Sequence, residues 1–260
     1  MTTQGICRLC RKPSILQKSH AIGDAVFKKI FRSLSGKGIE ISTGNNEIVY
    51  SKDSWAEYLL CKECETLLNT KYETYALSVL RGGKKSKITK SEYGVTISNI
   101  DQHKLIIYFL SIYWRAAHST HPAYKKTKIT QYNDQLLRNT IRNDVRIPAG
   151  AFTIKINKVI DLTDEKGFTP DSLKQVIVSP FPRSNFDTNT PQSFCFMFEG
   201  FFIEIFTSGI KIKKRNQPGI LSKNSRQLFI PNLDLFKINE VIELMTEGYR
   251  MHATGNSKVL

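Results

Sequence analysis

The sequence predicts an α+β fold in which an N-terminal cysteine-containing module is followed by central helices and by a C-terminal antiparallel sheet with a final helix. Two Cys-x-x-Cys pairs stand in the first quarter of the chain, and apolar residues recur at helical spacing in its middle. Short runs rich in β-branched and aromatic residues follow Pro148. These patterns divide the chain into residues 1–90, a helical connector at 91–147 and a β-rich basic domain at 148–260.

The composition is that of a folded protein with an excess of basic residues. Hydrophobic residues make up 40% of the 260 positions and charged residues 23%, which is ordinary for a globular protein. The 38 Lys and Arg residues outnumber the 23 Asp and Glu residues, and the formal net charge is +15. A field of this sign attracts polyanions, so the expected partner is nucleic acid, DNA in the first place. A regulatory protein or a second copy of the chain is the alternative partner.

The sequence favours a cytoplasmic protein without a membrane partner. The first residues lead into a cysteine pair rather than into the apolar region of a secretory signal. The longest apolar stretch, at 105–114, is roughly half the length that a bilayer requires. Cysteines paired at short spacing also suit a reducing compartment, where thiolates are available to bind metal.

Four of the five cysteines stand in the two pairs, Cys7 with Cys10 and Cys61 with Cys64. Each Cys-x-x-Cys turn delivers two thiolates from one short loop, and two turns complete the tetrahedral set that zinc favours. Because the chain is long enough to bury a core without metal, the zinc ion is predicted to be local scaffolding. The fifth cysteine, Cys195, alternates with phenylalanines and is predicted to be a buried apolar side chain.

The residues around the cysteine pairs predict a hairpin and a helix. Isoleucine and valine residues at 39–49 flank the turn-forming residues 44–46, a pattern typical of a β-hairpin. Apolar residues at helical spacing then run from Cys64 to Arg81, and two glycines stop the helix. A knuckle, a hairpin and a helix that carries the last two ligands describe a treble clef.

The segment from residue 7 to residue 73 resembles a known family. The Cys7-x-x-Cys10 pair, then Lys18-Ser19-His20-Ala21-Ile22, then Leu59-Leu60-Cys61-x-x-Cys64-Glu65 is similar to the zinc-bearing, treble-clef form of the HNH endonucleases. This resemblance implies that His20 is the general base that activates water against a phosphodiester of DNA. It also implies a catalytic Mg²⁺ or Mn²⁺ ion, separate from the zinc, and a role in bacterial defence.

Three positions depart from the HNH pattern. Ser19 stands where the family has a metal-binding Asp or Glu, and Glu65 stands where it has His or Asn. The asparagine that the family carries before its second knuckle is missing, and Asn46 in the hairpin is the candidate to replace it. The resemblance thus gives His20, Glu65 and Asn46 as catalytic residues. Glu73, eight residues after Glu65 and displaced around an α-helix, is predicted to lie on the surface.

A second reading of the same module remains open. His20 can pack on the zinc module or replace one of the cysteines as a ligand. In this reading the chain is a catalytically inactive module that binds nucleic acid or a partner protein. The absence of an acidic metal ligand at Ser19 favours this reading.

The middle of the chain predicts two helices and a linker. Cap residues at 99–101 precede apolar residues that continue to about residue 117, and a second helix is expected at 131–143. Residues 81–90 contain five basic residues and two glycines, which indicates a mobile charged linker. The side chains of this linker that are expected to contact phosphates are Arg81, Lys84, Lys85 and Lys87.

The C-terminal part predicts strands at 152–160, 173–178, 194–198, 201–206 and 227–230, with a turn at Glu199-Gly200 and a closing helix at 235–245. The phenylalanines of the strands are predicted to form core rather than a stacking surface for bases. No acidic residue occurs from 205 to 233. The basic residues of that stretch predicted to contact nucleic acid are Lys211, Lys213, Lys214 and Arg215.

Overall fold

The computed structural model describes residues 3–42, 44–83, 86–183 and 193–259. Its elements confirm the α+β class, with a mixed seven-stranded sheet, several helices and a cluster of cysteines near the N-terminus.

The N-terminal part contains two small antiparallel sheets and one helix. Its elements are β1 (Thr3–Ile6), β2 (Pro13–His20), α1 (Asp24–Ser33), β3 (Gly38–Ser42), β4 (Glu47–Ser51) and β5 (Ala56–Cys61). Strands β1, β2 and β5 pair in that order, and β3 pairs with β4 in the hairpin that the sequence predicts.

One continuous helix begins directly after Cys61 and contains Cys64. It consists of α2 (Lys62–Leu67), a π-helical segment (Leu68–Glu73) and α3 (Thr74–Leu80). Its helical conformation agrees with the periodicity of the sequence. The π-helical segment is not foreseen, and it changes which side chains share a face of the helix.

The prediction of a mobile linker at 81–90 is wrong in its second half. Strand β6 (Lys87–Ser91) pairs with β7 (Gly94–Ser98) and forms one edge of the large sheet. All five residues of β6 are exposed, so the alternation of apolar and polar residues that marks a half-buried strand is absent from its sequence. Lysines on an exposed edge strand also hinder pairing with other chains.

Helix α4 (Gln102–His118) is the central element of the molecule. The Asp101 side chain caps it by accepting hydrogen bonds from the backbone amides of His103 and Lys104. Every residue from Leu105 to Ala116 is buried, including Trp114. Helix α5 (Gln131–Asn143) follows a short 3₁₀ turn and packs on α4, so both predicted helices are confirmed.

In the described ranges no helix has the length and apolar character needed to cross a bilayer.

The seven-stranded sheet has the order β6-β7-β12-β8-β11-β10-β9. Its C-terminal elements are β8 (Thr153–Ile160), α6 (Pro170–Leu173), β9 (Val178–Arg183), β10 (Ser193–Phe198), β11 (Phe201–Phe206), β12 (Gln227–Asp234) and α7 (Asn239–Ala253). All neighbours are antiparallel except β12 and β8, which are parallel. The sheet takes β6 and β7 from residues before 148, and its main core runs from Cys7 to Ile230.

Two C-terminal predictions need correction. The strand expected at 173–178 is absent, because Thr169 caps a short helix that begins at Pro170, and the chain becomes extended only at Val178. The closing helix starts at Asn239 and continues to Ala253, since residues 235–237 form a 3₁₀ turn. The phenylalanines of β10 and the side chain of Cys195 are buried, as predicted.

A buried carboxylate connects the N-terminal part to the sheet. Glu199 occupies the predicted turn between β10 and β11, and its side chain is only 3% exposed. Its oxygens accept hydrogen bonds from Lys29 Nζ of α1 at 2.8 Å and from Arg81 Nη2, just after α3, at 2.6 Å. Two cations from separate elements thus compensate one buried anion.

We predict that Glu199→Gln destabilises the fold by about 2–3 kcal/mol, because it leaves two cations that are partly exposed without their counter-ion. Urea denaturation followed by circular dichroism measures this change. Glu247→Gln, which alters an exposed ion pair within α7, is the control and should leave the curve unchanged. Superimposable curves for Glu199→Gln and wild type would contradict the role of this turn.

Candidate metal centre and adjacent polar cluster

The four paired cysteines lie on two turns that the small sheet holds together. Cys7 and Cys10 belong to the turn between β1 and β2, Cys61 is the last residue of β5, and Cys64 lies in the first turn of α2. The Arg8 amide donates to the Leu59 carbonyl oxygen at 3.0 Å, which connects the first turn to β5.

The geometry of this cluster suits a tetrahedral metal ion. All four Sγ atoms lie within 4.8 Å of one another, and Cys10 Sγ is 3.9 Å from Cys61 Sγ. A tetrahedral zinc ion with sulfur at about 2.3 Å separates its ligands by about 3.8 Å. The four cysteines can therefore hold a zinc ion, and they complete the set without His20.

Hydrogen bonds prepare one cysteine as a thiolate. The Cys64 thiol donates to Cys7 Sγ, and backbone amides of Cys10, Cys61 and Leu9 support it. Together they lower the pKa of Cys7, against the effect of burial. The same contact raises the pKa of Cys64. Amides that face the sulfurs also reduce the repulsion among thiolates that share one metal ion.

His20 is the last residue of β2 and lies across the small sheet from Ala56 of β5. Its Nε2 is 2.9 Å from Ser54 Oγ and 3.8 Å from Asp24 Oδ1, and its side chain is 17% exposed. Burial lowers the pKa of His20, and the positive charges of Arg115 and Lys28 add to this effect. The carboxylates of Asp24 and Glu65 oppose it. The ring is therefore neutral at neutral pH.

Glu65 lies on α2 beside the second cysteine pair, and the hydroxyl of Ser19 donates to its Oε2 at 2.6 Å. Ser19 is 1% exposed. Ser19, the residue before His20, thus holds the Glu65 side chain in position.

Asn46 is placed elsewhere. It lies in the turn of the β3–β4 hairpin, where its Oδ1 accepts a hydrogen bond from Arg250 of α7 at 2.6 Å. The partner of the His20 ring is Ser54, which the sequence did not single out. Ser54 lies in an irregular segment, and its approach to His20 depends on the pairing of β2 with β5, so no local pattern reveals it.

The prediction that Glu73 lies on the surface is wrong. Glu73 is 7% exposed, and its Oε2 lies 3.8 Å from Nη2 of Arg115, which is 1% exposed. Glu73 also forms part of the wall of a groove of about 330 Å³ between the start of α1 and the long helix. A buried carboxylate and a buried guanidinium therefore lie behind the loop that follows His20.

The basic residues proposed to contact nucleic acid have different environments. Arg81 is committed to Glu199 and to the carbonyl oxygen of Ala25, Lys87 is exposed on β6, and Lys84 and Lys85 lie outside the described residues. The exposed cluster that follows β11 consists of Lys211, Lys213 and Lys214, with the half-buried Arg215 beside them. Arg215 also lines a polar groove of about 370 Å³ between this loop and the start of α4.

Comparisons with protein-family models, with curated proteins and with solved structures find no match for this chain. The HNH resemblance therefore rests on the residues between 7 and 73 alone.

We predict that the purified protein contains one equivalent of zinc and that Cys64→Ser lowers this content to near zero, because three thiolates leave one ligand position unfilled. Elemental analysis by plasma mass spectrometry measures it. Cys195→Ala removes a cysteine that is buried in another cluster and should retain the full zinc content. Equal zinc in wild type and Cys64→Ser would contradict the assignment of the ligands.

Proposed function

We propose that this protein is a zinc-stabilised, HNH-like endonuclease that hydrolyses phosphodiester bonds of DNA, with His20 as the general base. The observation that supports it is the position of His20. The residue lies at the end of β2, its imidazole is held by Ser54, and Glu65 on the helix of the second cysteine pair lies close enough to influence its charge.

The chemistry requires a neutral imidazole near the scissile phosphate. The base requires the tautomer in which Nε2–H donates to Ser54 Oγ, because Nδ1 then carries the lone pair that accepts a proton from water. The oxygen of that water then attacks phosphorus, the bond from phosphorus to the leaving oxygen breaks, and the leaving oxygen takes a proton from solvent. The lowered pKa of His20 keeps the base unprotonated at neutral pH.

The catalytic Mg²⁺ or Mn²⁺ ion that the resemblance implies does not fit the arrangement of the carboxylates. Among the described residues, the four cysteines are the one group of three or more potential ligands that converge. Asp24 instead accepts a hydrogen bond from Lys28, and Glu65 accepts one from Ser19. Both carboxylates near His20 are thus engaged with other side chains.

A binding module without catalysis is the second candidate. It is favoured by the commitment of Ser19 and Glu65 to each other and by the exposed lysines after β11. In either case those lysines are proposed to contact the DNA backbone, because their stretch of the chain contains no acidic residue.

We predict that His20→Ala lowers the rate of DNA cleavage by about 10²-fold or more, since it removes the base. Plasmid, linear and single-stranded DNA are incubated with each protein in Mg²⁺, Mn²⁺ or chelator after zinc content is confirmed. His252→Ala, at an exposed histidine of α7, is the control. Wild-type cleavage should fall as pH drops through the lowered pKa of His20, where the imidazole becomes protonated.

Two outcomes would contradict this assignment. Cleavage by His20→Ala at the wild-type rate would show that His20 takes no part in the reaction. Absence of cleavage by both zinc-loaded proteins, together with salt-sensitive DNA binding, would leave the binding module as the function.

We predict that the triple variant Lys211→Glu, Lys213→Glu, Lys214→Glu binds DNA more weakly and reduces the slope of log affinity against log salt by about one unit for each lost phosphate contact. Fluorescence anisotropy at several salt concentrations measures both quantities. A control with the same change in charge replaces the exposed Lys125, Lys126 and Lys128 with Glu. Equal losses in the two triple variants would show that net charge, and not this loop, determines binding.

A further inference from the structure

Glu73 reaches the interior because the helix after the second cysteine pair changes its winding. An α-helix turns about 100° per residue, which would place Glu73 about 80° around the axis from Glu65. A π-helix closes its hydrogen bonds one residue later, so each residue turns roughly 80°. The π-helical segment Leu68–Glu73 therefore brings Glu73 back to nearly the same face as Glu65. Such segments are frequent at functional sites.

The buried ion pair of Glu73 and Arg115 lacks the short hydrogen bonds that would compensate the burial of two charges. Arg115 Nη2 lies 3.8 Å from Glu73 Oε2, and the other contacts of the guanidinium are long, at 3.4 Å to the Ser111 carbonyl oxygen and 3.5 Å to Ser111 Oγ. Arg183 and Glu240, by contrast, form two hydrogen bonds of 2.7 Å each. Burial of two charges without close pairing costs free energy, and such arrangements are concentrated at functional sites.

Glu73 also supports the loop between His20 and Asp24. A Cβ atom at Gly23 would lie 2.2–2.7 Å from atoms of the Glu73 carboxylate, so the backbone of the loop packs directly against this carboxylate. Burial raises the pKa of Glu73, Arg115 opposes this effect, and the charges of Glu65 and Asp24 add to it.

A second unusual group lies in the same interior. Tyr108 is fully buried on α4, and its hydroxyl has no hydrogen-bond partner within the part of the chain that the structure describes. Burial raises the pKa of the Tyr108 hydroxyl, the charge of Glu73 adds to this effect and that of Arg115 opposes it. The interior behind the His20 loop thus contains several polar groups that a core selected for stability alone would replace with apolar side chains.

We propose that Glu73 and Arg115 are positioning residues of the His20 site: the Glu73 carboxylate packs against Gly23 in the loop from His20 to Asp24, and Arg115 is the buried counter-ion of Glu73. This assignment rests on the proposed function and adds two residues to it. The charged groups that face His20 come from three elements, namely Asp24 and Lys28 of α1, Glu65 of α2 and Arg115 of α4.

The test follows the titration of His20 by NMR in the zinc-loaded protein, with the imidazole signal assigned by comparison with His20→Ala. Arg115→Met removes a cation that disfavours the protonated ring, so His20 should titrate at a higher pH than in wild type. Arg115→Lys keeps the cation and should return the titration toward wild type. Glu73→Gln leaves Arg115 uncompensated, and His20 should titrate at a lower pH.

Opposite shifts in Arg115→Met and Glu73→Gln would support the proposal, because a general loosening of the loop moves both titrations the same way. Where the wild type cleaves DNA, the acid limb of its pH profile should shift with His20 in each variant. If Arg115→Met fails to fold, Glu73→Gln and Arg115→Lys still give the comparison. An unchanged His20 titration in Glu73→Gln, with zinc content and circular dichroism intact, would overturn the proposal.

This readout does not need catalysis. A wild-type protein that cleaves no DNA, but in which the two variants shift His20 in opposite directions, would refute the endonuclease and leave the coupling of Glu73 and Arg115 to His20 established.

Discussion

The cluster of four cysteines is the constraint on which the N-terminal half depends. Its members come from the turn between β1 and β2, from the end of β5 and from the start of α2. Bringing their sulfurs within 4.8 Å fixes the pairing of β2 with β5 and the direction in which the helix leaves the sheet. His20 and Glu65 lie on these elements, so the proposed site exists only where the cluster is intact.

Helix α4 connects this module to the rest of the fold. One face packs against the phenylalanines of β10, where Phe109 contacts Phe196 and Phe198, and Arg115 extends to Glu73 of the long helix. The turn at Glu199 adds a second connection through Lys29 and Arg81. The site is thus supported from behind by a rigid core, which suits a residue whose ring must keep one orientation.

Much of this architecture follows from local patterns in the sequence. A few neighbouring residues are enough to predict three of its features: the metal ligands from the paired cysteines, the start of α4 from the capping Asp101, and strand β10 from its alternating phenylalanines. Strand β6 and residue Glu73 were misjudged for physical reasons. An exposed edge strand needs no apolar alternation. The π-helical winding of residues 68–73 turns Glu73 back toward the face of Glu65, and no proline or glycine in this segment marks the change.

The candidate site is harder to predict than the metal centre. Cysteine spacing identifies the ligands of an ion directly, whereas Ser54 meets His20, and Arg115 meets Glu73, only through tertiary contacts between distant segments. Asn46, the candidate to replace the asparagine that is missing from the HNH pattern, lies in the hairpin turn and accepts a hydrogen bond from Arg250. The spacing of residues in the sequence predicts a metal site well when each short turn supplies its own ligands. It predicts a site poorly when the fold brings side chains together from distant segments.

The most direct test of the central claim is X-ray absorption spectroscopy at the zinc edge of the purified protein. The structure predicts four sulfur ligands at about 2.3 Å and no nitrogen in the first shell, because the cysteines complete the tetrahedron and leave His20 to Ser54. A shell of three sulfurs and one imidazole nitrogen, lost in His20→Ala, would show that His20 is a structural ligand and would contradict its proposed place in the reaction.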